Sequence, residues 1–285
     1  TEDGACRIDL SGSRPSVDEC WEEDEGMPSD IQWTVKVDGN YLYSGSYAGV
    51  GVIDLSTDEV IYEWTAGEYT GNALVEVIGD IAYLGLDNIG VARYNLITNE
   101  WLSVWKPGTN ALLKGDGVTT MTLARNPNQL WVGGNFGFQL IDVVNQTEVI
   151  HWSKSSSQYT AQGQNSDPYQ MVIAGNTLYY RTIYYNGDNI YRIDLDNESA
   201  LSNLDAGSQL GISGWIYGLD KTGDFLSIGV YPSQWWSGDL GGIARYDINS
   251  KSWVNSLEPS GMVSRVTARL VGNYLYIVYG ETAVQ

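Results

Sequence analysis

Aromatic residues in polar, glycine-rich segments are the part of this 285-residue chain best suited to hold a ligand. The pair Trp235-Trp236 lies in YPSQWWSGDLG (residues 231–241), a segment with little apolar surface to bury both rings. Exposed rings flanked by polar side chains stack on sugars or anchor protein partners. The alternative, that the segment folds back and buries the rings, stays open. The candidate ligand-binding residues are Tyr69, Tyr159, Tyr169, Tyr184, Tyr185, Trp215, Tyr231, Trp235, Trp236 and Asp239.

His151 is the only histidine, and it directly precedes Trp152. A Ser-His-Asp triad needs a positioned base, and most zinc sites with imidazole ligands need several donors together. A lone histidine at a strand end is better explained as a surface residue. The sequence therefore predicts no catalytic residue.

Acidic residues in the long connecting segments form a candidate set for Ca²⁺, but they lack the spacing of an EF-hand loop. The sequence thus leaves the metal content unknown. The residues concerned are Glu68, Asp87, Asp116, Asp167 and Asp239.

Net charge excludes some classes of partner. The chain has 15 basic and 35 acidic residues, a formal charge of −20. Such a field repels phosphate groups, so neither nucleic acid nor an anionic membrane is an expected partner. No apolar run reaches the roughly 18 to 20 residues of a membrane span. Solubility in a salty medium explains the acidity, with cation binding as the alternative.

The stretch from Asn40 to Trp64, NYLYSGSYAGVGVIDLSTDEVIYEW, returns along most of the chain. Later copies start at Asp80, Asn128, Asn176, Asp224 and Asn273, so the spacing is 40, 48, 48, 48 and 49 residues. A period of this length with several short apolar runs is typical of a β-propeller blade.

The two ends of the chain are complementary in this repeat. Arg7-Ile8-Asp9-Leu10 matches Arg192-Ile193-Asp194-Leu195, which belongs to a third strand. The sequence therefore predicts a six-bladed, all-β propeller with four antiparallel strands per blade, closed by a composite blade. One domain spans 1–285: outer strands and an acidic linker in 1–30, five blades in 31–257, and inner strands in 261–285.

The recurring Asp or Asn of the third strand has two interpretations. A ring of carboxylates is one. The favoured one is structural, because Asp and Asn just before a tight turn accept hydrogen bonds from its amides. The positions are Asp9, Asp54, Asn95, Asp142, Asp194 and Asp247.

Cys6 and Cys20 are predicted to form a disulfide. A hairpin centred on Ser13 places them opposite each other, where Cβ atoms lie about 4.5–5.5 Å apart. A disulfide indicates an oxidising compartment. Two buried thiols are the alternative.

The repeated core, with its aYLY-x-G start and a later V-D-L-S/N-T, resembles the PQQ-like, YVTN and LVIVD-type propellers of cell surfaces. Trp-Asp blade endings and paired kelch glycines are missing. The resemblance implies an extracellular or cell-surface recognition or scaffold module.

Long loops carry the predicted site, because binding residues usually lie on loops of a rigid scaffold. We expect a glycan or protein partner, with a larger surface assembly as a further hypothesis. The alternative function is a carbohydrate-active hydrolase or lyase with its site at the channel mouth. The expected binding face comprises residues 65–72, 105–117, 153–168, 184–189, 205–214 and 231–241.

Overall fold

A computed structural model describes most of the chain as short antiparallel strands. The described residues are 4–9, 11–12, 16–30, 32–46, 48–65, 74–108, 112–156, 167–182, 189–210, 214–232, 242–257, 265–271 and 274–280. They divide into two compact units, residues 76–205 and residues 1–75 with 206–285. The assignment of 1–285 to one domain stays a prediction.

Three four-stranded sheets belong mainly to the unit of residues 76–205. Their strands are β7 (Leu74–Ile78), β8 (Ile81–Leu86), β9 (Gly90–Asn95), β10 (Glu100–Trp105), β11 (Val118–Leu123), β12 (Gln129–Gly134), β13 (Gly137–Asp142), β14 (Thr147–Trp152), β15 (Pro168–Ala174), β16 (Thr177–Thr182), β17 (Asn189–Asp194) and β18 (Ser199–Asp205).

The other unit holds two sheets of consecutive strands and one mixed sheet. Its strands are β1 (Ala5–Asp9), β2 (Ser16–Trp21), β3 (Gln32–Asp38), β4 (Tyr41–Ser46), β5 (Gly49–Asp54), β6 (Glu59–Thr65), β19 (Gly214–Thr222), β20 (Phe225–Pro232), β21 (Gly242–Asp247), β22 (Ser252–Leu257), β23 (Arg265–Val271) and β24 (Tyr274–Gly280). A 3₁₀ turn (Glu23–Glu25) and a short helix, α1 (Ala206–Leu210), complete it.

The predicted count of six blades is corrected to five blades built from consecutive strands. The reason is that the last repeat, which starts at Asn273, has no third and fourth strands of its own in the described chain. The remaining strands, two from each end of the sequence, pair in a composite sheet of order β2-β1-β24-β23. The pairing of N-terminal outer strands with C-terminal inner strands therefore follows the predicted arrangement.

Each third-to-fourth turn is fixed by the recurring Asp or Asn. Asp54 Oδ1 accepts the Ser56 amide at 2.8 Å, and Asn95 Oδ1 accepts the Ile97 amide at 2.9 Å. The equivalent bonds form at all six positions, so the structural interpretation is confirmed. Five of these turns also contain a non-glycine residue with positive φ: Asp58, Asn99, Gln146, Glu198 and Lys251.

A tryptophan at the end of the fourth strand fills the space between neighbouring blades. Trp152 is 3% exposed and belongs to a core cluster with Phe138 and Tyr180, which come from two sheets. Gly137, at the start of β13, faces it with φ of 99°, and a Cβ there would lie 2.2 Å from the Trp152 carbonyl oxygen. Glycine is required at this position for both reasons.

The indole N–H of this tryptophan reaches the positive-φ residue in the next blade's turn. Trp152 Nε1 donates to Glu198 Oε2 at 3.1 Å, and Trp105 Nε1 donates to Gln146 Oε1 at 3.4 Å. In the other unit, Trp21 Nε1 donates to the Asp58 carbonyl oxygen at 3.0 Å. Each of these hydrogen bonds therefore links the buried tryptophan of one blade to the third-to-fourth turn of the neighbouring blade.

The predicted disulfide between Cys6 and Cys20 is present. The two residues are direct partners in the β1–β2 pair, as the hairpin argument requires. The bond closes a separation of 14 residues in the composite sheet.

Candidate functional site

Each blade has two unlike ends. At one end lie the first-to-second and third-to-fourth turns, such as Asn126–Asn128 and Val143–Gln146, which we call the short-turn end. The opposite end carries the second-to-third and blade-to-blade connections, which we call the long-loop end. Of the predicted binding residues, Tyr169, Trp215 and Tyr231 are described, and each lies near the long-loop end of its strand.

One long connection, residues 112–117, is anchored on the blade of β11–β14. Leu112 and Leu113 are buried, and the fully buried Gln139 side chain holds the segment. Gln139 Oε1 accepts the Lys114 amide at 3.3 Å, and Gln139 Nε2 donates to Glu148 Oε2 at 2.6 Å. Lys114 Nζ lies 3.2 Å from the same carboxylate. The connection is therefore an ordered part of the surface.

The same segment packs closely against Asn135. The Asn135 amide donates to the Gly117 carbonyl oxygen at 3.0 Å, and its Nδ2 donates to Asp116 Oδ1 at 3.3 Å. A Cβ on Gly115 would lie 2.3 Å from Asn135 Oδ1, so a side chain there would displace the contact. Asp116, a candidate Ca²⁺ ligand from the sequence, is exposed and accepts this one hydrogen bond.

Tyr169 lies on a bulge at the start of β15, between Pro168 and Gln170. The Arg181 guanidinium carbon lies 4.3 Å from the centre of its ring, and Arg181 Nε donates to Gln170 Oε1 at 2.8 Å. Arg181 is only 7% exposed. A guanidinium this close to an aromatic face is attracted by the ring quadrupole and fixes the ring's position.

Two further contacts support this bulge. Lys154 Nζ and Asp167 form an ion pair, with side chains 31% and 29% exposed. The Thr119 hydroxyl donates to the Pro168 carbonyl oxygen and so connects β11 to the start of β15. Asp167 and Tyr169, both predicted site residues, therefore belong to one cluster, which we call the Tyr169 cluster: Lys154, Asp167, Tyr169, Gln170 and Arg181.

The innermost strands of three other blades have a bulge at a comparable place. The register shifts around Trp33 in β3, Thr119 in β11 and Tyr217 in β19. Bulges are frequent beside binding sites because they re-aim a side chain. The sequence analysis did not predict these bulges, because a shift of register between two strands leaves no signal in the residues of one strand.

The other predicted binding residues are distributed as follows. Trp215 and Tyr231 are direct cross-strand partners in the β19–β20 pair. Asp87 lies in the turn between β8 and β9. Outside the described residues lie Glu68, Tyr69, Tyr159, Tyr184, Tyr185, Trp235, Trp236 and Asp239.

His151 is half-buried, and its Nε2 lies 3.3 Å from the Phe136 carbonyl oxygen. The imidazole therefore contacts the backbone of the connection between β12 and β13. Across the described ranges, no three His, Cys, Asp or Glu side chains come together in a way that could hold a metal ion. In the same ranges, no helix is long and apolar enough to cross a membrane.

Comparisons with known proteins agree on the fold. No family model matches the chain, and no curated protein matches it. The WD40 domain of Neurospora crassa Pan2 is similar in structure, with a TM-score of 0.60 at 11% identity, over 83% of this chain and 68% of that one. The computationally designed Ika8 protein gives a TM-score of 0.52 at 11% identity, over 87% of this chain and 70% of that one. At this identity the likeness establishes the β-propeller architecture alone; the PQQ-like, YVTN or LVIVD resemblance stays a prediction.

Proposed function

We propose that the chain is a recognition or scaffold module that binds a protein or glycan partner at its long-loop end. The observation that carries this proposal is the Tyr169 cluster, where a buried Arg181 holds an aromatic ring 4.3 Å away on a bulged strand. Tyr and Arg are the residue types that dominate binding energy at interfaces, especially where their positions are fixed beforehand.

The contrast between the two ends supports the same proposal. At the short-turn end, the recurring Asp and Asn side chains are engaged in turn hydrogen bonds. At the long-loop end, residues 112–117 are held by Gln139 and Asn135. A rigid scaffold with elaborated loops at one end is the usual arrangement for binding.

The Tyr169 cluster is the candidate contact surface of the unit of residues 76–205, and Trp235 and Trp236, predicted from the sequence, are separate candidate contact residues of the other unit. Stacking on sugar faces needs aromatic platforms, and a protein partner needs aromatic anchors. With a formal charge of −20, the chain favours a neutral or cationic partner surface. The Cys6–Cys20 disulfide is consistent with an extracellular or cell-surface location.

Two screens of the full chain test the proposal: a glycan array with and without Ca²⁺, and a displayed peptide library. We expect specific ligands from one of them, with binding lost in the Trp235→Ala, Trp236→Ala double variant. A requirement for Ca²⁺ would assign a role to loop carboxylates such as Asp116 and Asp167. Specific ligands from neither screen would overturn the proposal and favour a surface-assembly role.

A further inference from the structure

Two asparagines begin the sequence Asn-x-Thr or Asn-x-Ser, the acceptor pattern for N-linked sugars. They are Asn145, followed by Gln146 and Thr147, and Asn197, followed by Glu198 and Ser199. The first triplet covers the end of the β13–β14 turn and the first residue of β14, the second covers the end of the β17–β18 turn and the first residue of β18, and all their residues are exposed. The short pattern alone occurs often by chance, so the structural context has to carry the argument.

The middle residue of each triplet is held against the preceding blade. Gln146 and Glu198 have φ of 51° and 48°. Gln146 Oε1 accepts the Trp105 indole N–H at 3.4 Å, and Glu198 Oε2 accepts that of Trp152 at 3.1 Å. The asparagine and the hydroxyl residue on either side remain on the exposed surface of the turn.

The asparagine side chains can carry a sugar without loss of the turn. Asn145 Nδ2 donates to Asp142 Oδ2 at 3.0 Å, and Asn197 Nδ2 donates to Asp194 Oδ2 at 2.9 Å. An asparagine amide has two hydrogens. Attachment of a sugar replaces one hydrogen and leaves the other for the aspartate.

We propose that Asn145 and Asn197 are both N-glycosylated. The co-substrate is an oligosaccharide carried on a lipid pyrophosphate. A bond forms between Nδ2 and the anomeric carbon of the sugar, and the bond from that carbon to the pyrophosphate oxygen breaks. The pyrophosphate leaves with the electron pair, and Nδ2 loses a proton to a base. No oxidation or reduction takes place.

Two features of the chain fit this modification. The Cys6–Cys20 disulfide is typical of proteins that pass through an oxidising compartment. Both asparagines lie at the short-turn end of their blades, so the sugars would leave the Tyr169 cluster uncovered. The inference does not depend on the proposed binding function.

The test is secretion of the full chain from a host that transfers such oligosaccharides, followed by intact-mass and peptide mass spectrometry. We expect two sugars per chain, with aspartate left at both positions after enzymatic release. Thr147→Ala and Ser199→Ala should each remove one sugar, whereas the conservative Thr147→Ser and Ser199→Thr should keep both. These variants leave the asparagines and their hydrogen bonds unchanged.

A gain-of-site variant provides the matched control. Ser250→Asn creates the acceptor pattern with Lys251 and Ser252 in the β21–β22 turn, at the equivalent place. An unmodified Asn145 or Asn197 in the secreted chain would overturn the proposal for that residue. In that case, a sugar at position 250 of the S250N chain would show that the residues around the natural asparagine prevent transfer. No sugar at position 250 would show that the geometry of this type of turn prevents it.

Discussion

Trp152 donates its indole N–H to Glu198 Oε2 at 3.1 Å, across the boundary between two blades. Trp152 is 3% exposed, and its bond to the exposed Glu198 is partly buried. Glu198→Ala should therefore lower the free energy of unfolding by about 1–3 kcal/mol, the cost of leaving a buried donor unpaired. Urea unfolding measures this change. Glu198→Gln keeps an oxygen acceptor and should be close to wild type; equal losses in both variants would contradict the bond's role.

Arg7 connects the composite sheet to the neighbouring blade. Its two terminal nitrogens donate to the Asp58 carboxylate at 2.6 and 3.0 Å, and its Nε donates to Asp18 at 2.6 Å. Lysine cannot reproduce this fork. Because Asp58 is 38% exposed, solvent screens the pair, and Arg7→Lys should cost about 1 kcal/mol of unfolding free energy.

The control for this prediction is Arg125→Lys. Arg125 and Asp196 form a pair with side chains 49% and 62% exposed, and such surface pairs contribute about 0–1 kcal/mol. A loss at Arg125 as large as that at Arg7, in parallel urea titrations, would disprove the importance of the forked contact.

The turn aspartates make the stability of the fold vary with pH in the acidic range. Hydrogen bonds from the backbone and side chain of Asn145 lower the pKa of Asp142, and those from the side chain and backbone of Asn197 lower the pKa of Asp194. A pKa lower in the folded than in the unfolded chain gives stability that is present above the unfolded value, about 3.9 for Asp. That stability is lost as the pH falls through the folded pKa.

We therefore expect the melting temperature to decline below about pH 4. The Asp142→Asn, Asp194→Asn double variant keeps oxygen acceptors that do not titrate, as Asn95 does in its own turn. Its melting temperature should decline less steeply in acid. Parallel pH profiles for the variant and the wild type would show that these carboxylates do not contribute.

The disulfide should stabilise the composite sheet. Its loop has a sequence separation of 14 residues, and closing a loop of that length removes about 3 kcal/mol of chain entropy from the unfolded state. The Cys6→Ala, Cys20→Ala double variant should lose 2–4 kcal/mol, to order of magnitude, in urea unfolding under oxidising conditions. With a reductant present, the unfolding free energy of the wild type should fall towards that of the variant. The prediction would be contradicted if the variant were as stable as the wild type and the reductant left the wild type unchanged.

The sequence predicted correctly those features that depend on residues close together in the chain or on the repeat. The Cys6–Cys20 register follows from hairpin symmetry, and the role of Asp54 or Asn95 follows from its place before a turn. It failed where partners are distant in sequence and are brought together by blade packing. Trp152 and Glu198, or Arg7 and Asp58, carry no mutual signal in a single chain.

The candidate site shows the same division. Tyr169 was predicted from its residue type, but its partner Arg181 was not, because the bulge that re-aims the ring depends on the register of β15 and β16. The number of blades was overestimated because the sequence shows where each repeat begins but not which strands complete its blade. The composite sheet could be predicted because Arg7-Ile8-Asp9-Leu10, near the start of the sequence, matches the third strand of an internal repeat.

The central claim, that recognition takes place at the long-loop end, is tested most directly by affinities of matched variants for a ligand from the screens. Trp235→Ala, Trp236→Ala changes the connection between β20 and β21, which the sequence predicts to bind the partner. Ile97→Ser, Val144→Ser alters two short-turn residues that are 71% and 65% exposed. We predict a loss of affinity of at least about tenfold for the first variant and less than about twofold for the second, because a few aromatic anchors dominate binding energy. The reverse order, with both variants folded, would contradict the claim.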